Sequence, residues 1–229
     1  MTGAASVKTE EMHSTQVFAS LANIPHTVKT FWRGMAVYSL DEPATDVYSV
    51  VSGRVKILRA SASGQQKIIS IRYRGDVFGE LALAGEKVEG RRSDEAVAID
   101  TTRVAVVRVE DFRRAVRFDA AAAQSALGYL TERLAEAHRQ IESLAFDDNC
   151  RRLVRALLEL SNDAARVGET SVRLTHEELA ELIGSSRESV TFMMLDLRRR
   201  GLIEYKRGEV RPCPPKLARF LEEEAMLNA

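Results

Sequence analysis

The stretch LTHEELAELIGSSRESVTFMMLDLRRRGLIEYKRGEVRP, residues 174–212, decides the fold of the C-terminal part of the chain. Thr175 with Glu178 three positions on is the pattern of a capping box, in which a hydroxyl and a carboxylate each satisfy one orphan amide at a helix start. Leu179, Leu182 and Ile183 then form an apolar face that stops at Gly184. A second box, Ser185 with Glu188, opens another helix whose buried face is Val190, Met193, Met194 and Leu197. Two short helices joined by a tight glycine turn make a helix-turn-helix. Behind Arg198, Arg199, Arg200 and Gly201, the run IEY, the turn KRG and the run EVR read as a small hairpin, or wing. At 100° per residue the side opposite the buried face carries Glu188, Thr191, Phe192, Leu195 and Arg199, with Arg187 at its start, which is the face a recognition helix turns to the major groove. Residues 185–211 hold seven Lys or Arg against four Asp or Glu, a local positive excess suited to phosphates.

That excess is local. The whole chain of 229 residues has 33 Lys plus Arg and 33 Asp plus Glu, so bulk basicity says nothing about partners. Hydrophobic residues at 45% and charged residues at 29% suit a chain with a packed core and argue against disorder. Cys150 and Cys213 stand 63 positions apart without CxxC spacing, which points to two free thiols and away from a disulfide framework or zinc site. The start, MTGAASVKTEEMHS, lacks an apolar signal core, and no run reaches the ~18 apolar residues of a membrane span. The expected location is the cytoplasm, with no membrane partner.

Residues 27–107 have another texture. YSVVSGRVKILRA, QQKIISIRYRGDVFGE and AVAIDTTRVAVVRV are short β-branched and aromatic runs punctuated by Ser52-Gly53, Ser63-Gly64 and Arg74-Gly75, the mark of a barrel or jelly roll. Alternation puts Val55 and Ile57 on one face and Arg54, Lys56 and Leu58 on the other. The span contains no histidine, which argues against a cupin-type metalloenzyme and against catalysis. His13, His26, His138 and His176 are scattered, so no metal site is expected, and His176, in a helix's first turn, is read as solvated.

Beyond Asp111 the composition turns helical. Leu127, Leu130, Leu134, Ile141 and Leu144 recur at spacings of three, four and seven, with Ala137 and His138 filling the missing turn, in a long helix over residues 119–146. So long a stripe favours a two-chain seam. Asp147, Asp148 and Asn149 break it and mark a boundary. A further helix follows on Leu153, Val154, Leu157, Leu158 and Leu160, and then a short strand, SVRL.

DEPATDVYSVVSGRVKI, GDVFGELAL, the RRS of GRRSDEAVAI, ESLAF and LTHEELAELIGSSRESV, in this order, resemble the cyclic AMP receptor protein and fumarate-nitrate regulator family of bacterial transcription factors over about residues 15–220. The resemblance implies an α+β protein with an N-terminal jelly-roll effector domain (1–118), a dimerisation helix (119–146) and a C-terminal winged helix-turn-helix (147–229). It implies a homodimer on a near-palindromic duplex DNA site, with RNA polymerase as a further partner. The expected DNA-contacting set is Thr175, Ser185, Ser186, Arg187, Glu188, Thr191, Phe192, Arg199 and Lys206. Many relatives place an Arg at Phe192 to read guanine, and a Phe offers only apolar contact, so the half-site should differ.

The resemblance also implies an effector site at Phe78, Gly79, Glu80, Leu81 and Ala82 with Arg92 and Ser93, and His138 at its far end. Main-chain amides, a guanidinium and a hydroxyl there meet a cyclic phosphate, and Glu80 meets the ribose. The match is incomplete. Ala137 and His138 replace the polar pair that relatives offer to adenine, and Asp94 and Glu95 bring repelling carboxylates. Glu80 and Arg92 pairing with each other is an alternative. Cyclic AMP, another small ligand, and no diffusible effector therefore all stay open, as does an interaction protein that no longer binds DNA.

Overall fold

The computed structural model describes residues 24–62, 64–88, 90–206 and 209–227; His13 and the rest of the N-terminal stretch lie outside them, as do Arg207 and Gly208 of the wing turn. Two compact units form, one ending at Ala137 and the other beginning at His138.

In the first unit the β-branched runs become β1 (His26–Phe31), β2 (Ala36–Tyr38), β3 (Asp46–Ser52), β4 (Val55–Ala60), β5 (Gln66–Arg72), β6 (Val77–Phe78), β7 (Glu95–Ala98) and β8 (Thr102–Arg108). They pair antiparallel in two four-stranded sheets, ordered β1-β8-β3-β6 and β2-β7-β4-β5. Tyr48, Val50, Phe78 and Val104 from one sheet meet Tyr38, Val55, Ile57 and Ala96 from the other in a single buried cluster. That is the interior of the expected jelly roll. Leu58, on the same side of β4 as Lys56, is buried too and pairs with Ile68, the register skipping Ile69 so that the bulge lies on β5.

The other face of the first sheet is covered by helix α1 (Val109–Phe118) and the first half of α2 (Ala120–Phe146). Val47, Val77, Val107, Val109, Phe112 and Tyr129 form this second cluster, and the Tyr129 hydroxyl donates to the Val77 carbonyl. Each fully buried Val or Phe side chain here contributes about 1.5–3 kcal/mol. Along another face of α2 the apolar stripe is exposed among the described residues: Leu127, Leu130, Leu134, Ile141 and Leu144 are 44–67% exposed.

In the second unit α3 (Asn149–Arg166) starts at Asp148, whose carboxylate accepts from the Arg151 amide. Its buried face is Leu153, Val154, Leu157 and Leu160, while Leu158 is half-buried. Then come α4 (His176–Ile183), α5 (Arg187–Arg199), the hairpin β9 (Ile203–Lys206) and β10 (Glu209–Pro212), and α6 (Pro214–Leu227). The expected strand SVRL is reduced to a single bridge between Val172 and Val210. Helix α6, begun by the Pro214-Pro215 pair, packs on α3 and buries Leu217 completely. Among the described residues no helix is long and apolar enough to cross a membrane, and no group of three His, Cys, Asp or Glu side chains could hold a metal. Among the described residues neither Cys150 nor Cys213 forms a disulfide.

Candidate functional site

The helix-turn-helix is built by its caps. The Thr175 hydroxyl accepts from the Glu178 amide at 3.1 Å and the Glu178 carboxylate accepts from the Thr175 amide at 2.9 Å, closing both halves of the box. Removing such a cap typically costs about 1 kcal/mol. Helix α4 ends on Gly184 in the left-handed region (φ 72°), a conformation that favours glycine. The next cap lies one residue beyond the expected Ser185. Ser186 caps α5 by accepting from the Ser189 amide at 3.2 Å, while the Ser185 amide closes α4 on the Ala180 carbonyl at 3.0 Å.

Val190, Met194 and Leu197 bury one face of α5. Met193 is half-buried, whereas Arg187, Glu188 and Arg199 are exposed and the Phe192 ring is 75% exposed. Thr191 turns the other way. Its hydroxyl donates to the Arg187 carbonyl at 2.9 Å and meets His176 Nδ1 at 3.0 Å. His176 is therefore not solvated as the sequence suggested: its Nε2 lies 2.8 Å from the Tyr205 hydroxyl on β9. With the Thr191 proton directed to the Arg187 carbonyl, Nδ1 donates to the Thr191 oxygen and Nε2 shares a hydrogen bond with the Tyr205 hydroxyl. One imidazole thus ties α4 to α5 and to the wing. Burial raises the Tyr205 phenol pKa against the opposing pull of Arg198, which keeps the hydroxyl a donor. Ser171 and Arg173 hold the other wing strand through Glu209, each at 2.7 Å. Lys206 ends β9, and its side chain lies outside the described residues.

In the jelly roll, Gly79 has φ 72°, and a Cβ there would come within 2.9 Å of Arg92 Nη1 and 3.0 Å of the Tyr48 ring, so the close approach requires glycine. Arg92 is 4% exposed. Its Nη1 donates to the Gly79 carbonyl at 3.1 Å and its Nη2 to the Asp46 carbonyl at 2.6 Å, while its guanidinium lies 4.3 Å from the centre of the Tyr38 ring. It does not pair with Glu80. Tyr38, Tyr48 and Phe78 stack on one another, and the Tyr38 hydroxyl donates to Asp94 at 3.0 Å. The Ser93 hydroxyl accepts from Arg59 at 2.9 Å. Burial raises the Glu80 carboxyl pKa, partly offset by the Arg72 guanidinium.

The structure thus brings Gly79 and Arg92 into direct contact, while Phe78 stacks on Tyr38 and Tyr48, the rings over which Arg92 lies. Leu81 is largely exposed, Ala82 packs in the outer cluster with its amide on the Gly79 carbonyl, and His138 is exposed on α2 within the second unit. The aromatic stack, Arg72 and the His176 network escaped the sequence reading.

Within the second unit, Asp147 takes hydrogen bonds from Ser143, Arg151 and Arg155 at 2.7, 3.0 and 2.9 Å. Burial disfavours its charge, but the bonds from Arg155, Ser143 and Arg151 outweigh that and lower its carboxyl pKa from the ordinary aspartate value. Arg152 then joins the Asp147 carbonyl to the Ile183 carbonyl at the end of α4.

Residues 28–118 match the cyclic nucleotide-binding domain and residues 151–221 the Crp-like helix-turn-helix domain. The global nitrogen regulator of Synechococcus elongatus is 33% identical over 187 residues, covering 79% of this chain and 82% of that protein. The CRP-like cAMP-activated global transcriptional regulator of Mycobacterium tuberculosis is 30% identical over 177 residues, covering 76% and 78%. Among solved structures, a transcriptional regulator of the CRP/FNR family from Thermus thermophilus is 27% identical with a TM-score of 0.67, covering 86% of this chain and 98% of that one.

Proposed function

Because the chain belongs to the Crp/Fnr family of DNA-binding transcriptional regulators, we propose that it works in the cytoplasm as a homodimer on a near-palindromic duplex site and answers to a small anionic effector held in the jelly roll. The observation that carries the DNA reading is the outward face of α5, where Arg187, Glu188, Phe192 and Arg199 stand exposed beside a wing fixed by His176. Arg187 and Glu188 read base edges and Phe192 packs on a thymine methyl. Arg199 holds phosphate, and Thr175, Ser185 and Ser186 stand at helix N-termini, where main-chain amides favour it.

The uncovered stripe on α2 supports the homodimer, since large apolar side chains spaced along one face form the seam of a two-helix contact. The division we adopt is an effector domain over residues 1–118, a dimer helix over 119–146 and a DNA-binding domain from 147, supported by the break at Asp147 and the cap at Asp148. Membership of the family supports RNA polymerase as a further partner.

Cyclic AMP is the first effector to try, given the domain match and the cAMP-activated relative. The engagement of both Arg92 terminal nitrogens by main-chain carbonyls, with Asp94 nearby, favours a second reading in which this barrel does not rely on a cyclic phosphate. Fluorescence anisotropy on labelled duplex, over a salt series and with or without cyclic AMP, tests both. Binding to a selected site well above random duplex supports the regulator, and equal weak binding to both opposes it.

A further inference from the structure

The face that α5 turns outward is apolar in its middle. Phe192 is 75% exposed and Leu195, one turn on, is 46% exposed, whereas Val190, Met194 and Leu197 fill the core behind them. The polar side chains that could share this stretch are committed elsewhere. Thr191 donates to the Arg187 carbonyl and meets His176, Arg200 pairs with Asp196 at 2.8 Å, and the Arg198 guanidinium lies 5.9 Å from the centre of the Tyr205 ring. Charge flanks the pair, with exposed Arg187 and Glu188 before it and exposed Arg199 after it.

A Leu and a Phe side chain offer no hydrogen bond, so whatever covers them must be apolar at that point. Two side chains bounded by charge fall far short of the ~800 Å² per partner that a stable protein interface buries. The major groove of DNA supplies a fit of the right size. It admits a helix, and the one apolar group that a base edge presents there is the C5-methyl of thymine. Residues three apart on a helix are separated by about 4.5 Å along its axis, close to the ~3.4 Å between successive bases of a strand.

We infer that Leu195 is a further base-reading residue, and that with Phe192 it forms an apolar reader of pyrimidine C5-methyl groups at two neighbouring steps of each half-site. The inference rests on the reading of α5 as the recognition helix and specifies what its middle reads. Thymine carries such a methyl and cytosine does not. A cytosine at either step sets a polar amino edge against the pair, dehydrated and without a partner. Methylating that cytosine at C5 restores the apolar contact. Binding thus responds to the covalent state of one carbon in the groove, a property that Arg187 and Glu188, which read hydrogen-bonding edges, do not confer.

The test uses the full chain, the variants Leu195→Ala and Phe192→Ala, and the duplex that the protein enriches from a random pool. Each thymine of the half-site is replaced by uracil, one at a time, which removes a methyl and leaves every hydrogen-bonding group in place. By anisotropy, uracil at each of two neighbouring steps should weaken binding by the unmodified protein about fourfold, the worth of one buried methyl. Leu195→Ala should lose its sensitivity to uracil at one of these steps and Phe192→Ala at the other, a coupling that a merely structural role would not produce. Cytosine at the same step should bind more weakly than 5-methylcytosine, again by about fourfold. Both variants should keep the urea midpoint of the unmodified protein, because both side chains are already exposed. Uracil without effect at any step, equal sensitivity to it in Leu195→Ala and the unmodified protein, or a clear drop in the midpoint overturns the inference. So does a change of oligomeric state in Leu195→Ala by light scattering, which would mean that a second copy of the chain covers the pair. If the protein binds one duplex specifically and ignores uracil, only the methyl reading fails; if it binds no duplex specifically, the reading of α5 itself fails.

Discussion

His176 Nδ1 lies 3.0 Å from Thr191 Oγ1, so the first helix of the helix-turn-helix holds its recognition helix through one imidazole that also holds the wing at Tyr205. A hydrogen bond of this kind is worth about 0.5–1.5 kcal/mol. His176→Ala should therefore destabilise the protein by about 1–3 kcal/mol by urea unfolding, as two bonds are lost and Thr191 and Tyr205 are left short of partners. It should also weaken specific DNA binding although His176 is not assigned to a base. An unchanged unfolding midpoint would show that the network is not held in solution.

The stripe on α2 gives a second expectation. Leu134→Lys with Ile141→Lys should convert a dimer to a monomer by light scattering at micromolar concentration, without unfolding either unit, since both side chains are already exposed in the single chain. A monomeric unmodified protein would refute the seam.

On DNA, Arg187→Ala should cost about 1–3 kcal/mol on the preferred site and relax its specificity, as expected of a side chain that reads a base. Arg199→Ala should instead weaken all duplexes alike and reduce the slope of log affinity against log salt by about one. Equal losses on specific and random DNA for Arg187→Ala would contradict its role.

Asp147 sets a pH dependence. Its folded pKa lies below the unfolded value of ~3.9, so its contribution to stability is complete above that value and is lost as pH falls through the folded pKa. Asp147→Asn should lower the melting temperature near neutral pH, and the gap to the unmodified protein should narrow on acidification below pH ~4. A gap that stays constant down to pH ~2 would mean that the carboxylate's charge plays no part.

Local chemistry made much of this legible. Thr175, Glu178 and Gly184 announce α4 because a capping box and a left-handed cap act within a few residues, and Val190, Met194 and Leu197 show their burial by spacing alone. Non-local partners did not show. Thr191 and Tyr205 lie 15 and 29 positions from His176, and nothing near it in sequence distinguishes a bridging imidazole from a solvated one. The cap is Ser186 and not Ser185, whose amide closes the preceding helix, and two adjacent serines look alike in sequence. The bulge at Ile69 of β5 is another feature that alternation cannot foresee. In the barrel, GDVFGELAL and RRS marked the right region, yet Arg92 is engaged by the Gly79 and Asp46 carbonyls, and Arg72 is an interior residue only because β5 pairs it with Val55. Charged residues are seldom buried, so composition argues against such a placement.

The most direct test of the central claim is selection of bound duplexes from a random pool, followed by anisotropy on the enriched sequence. The account expects an inverted repeat whose half-sites are centred about one helical turn apart, bound at least about a thousandfold more tightly than random duplex. A pool that shows no enriched repeat, with uniform weak binding that disappears in moderate salt, would contradict it.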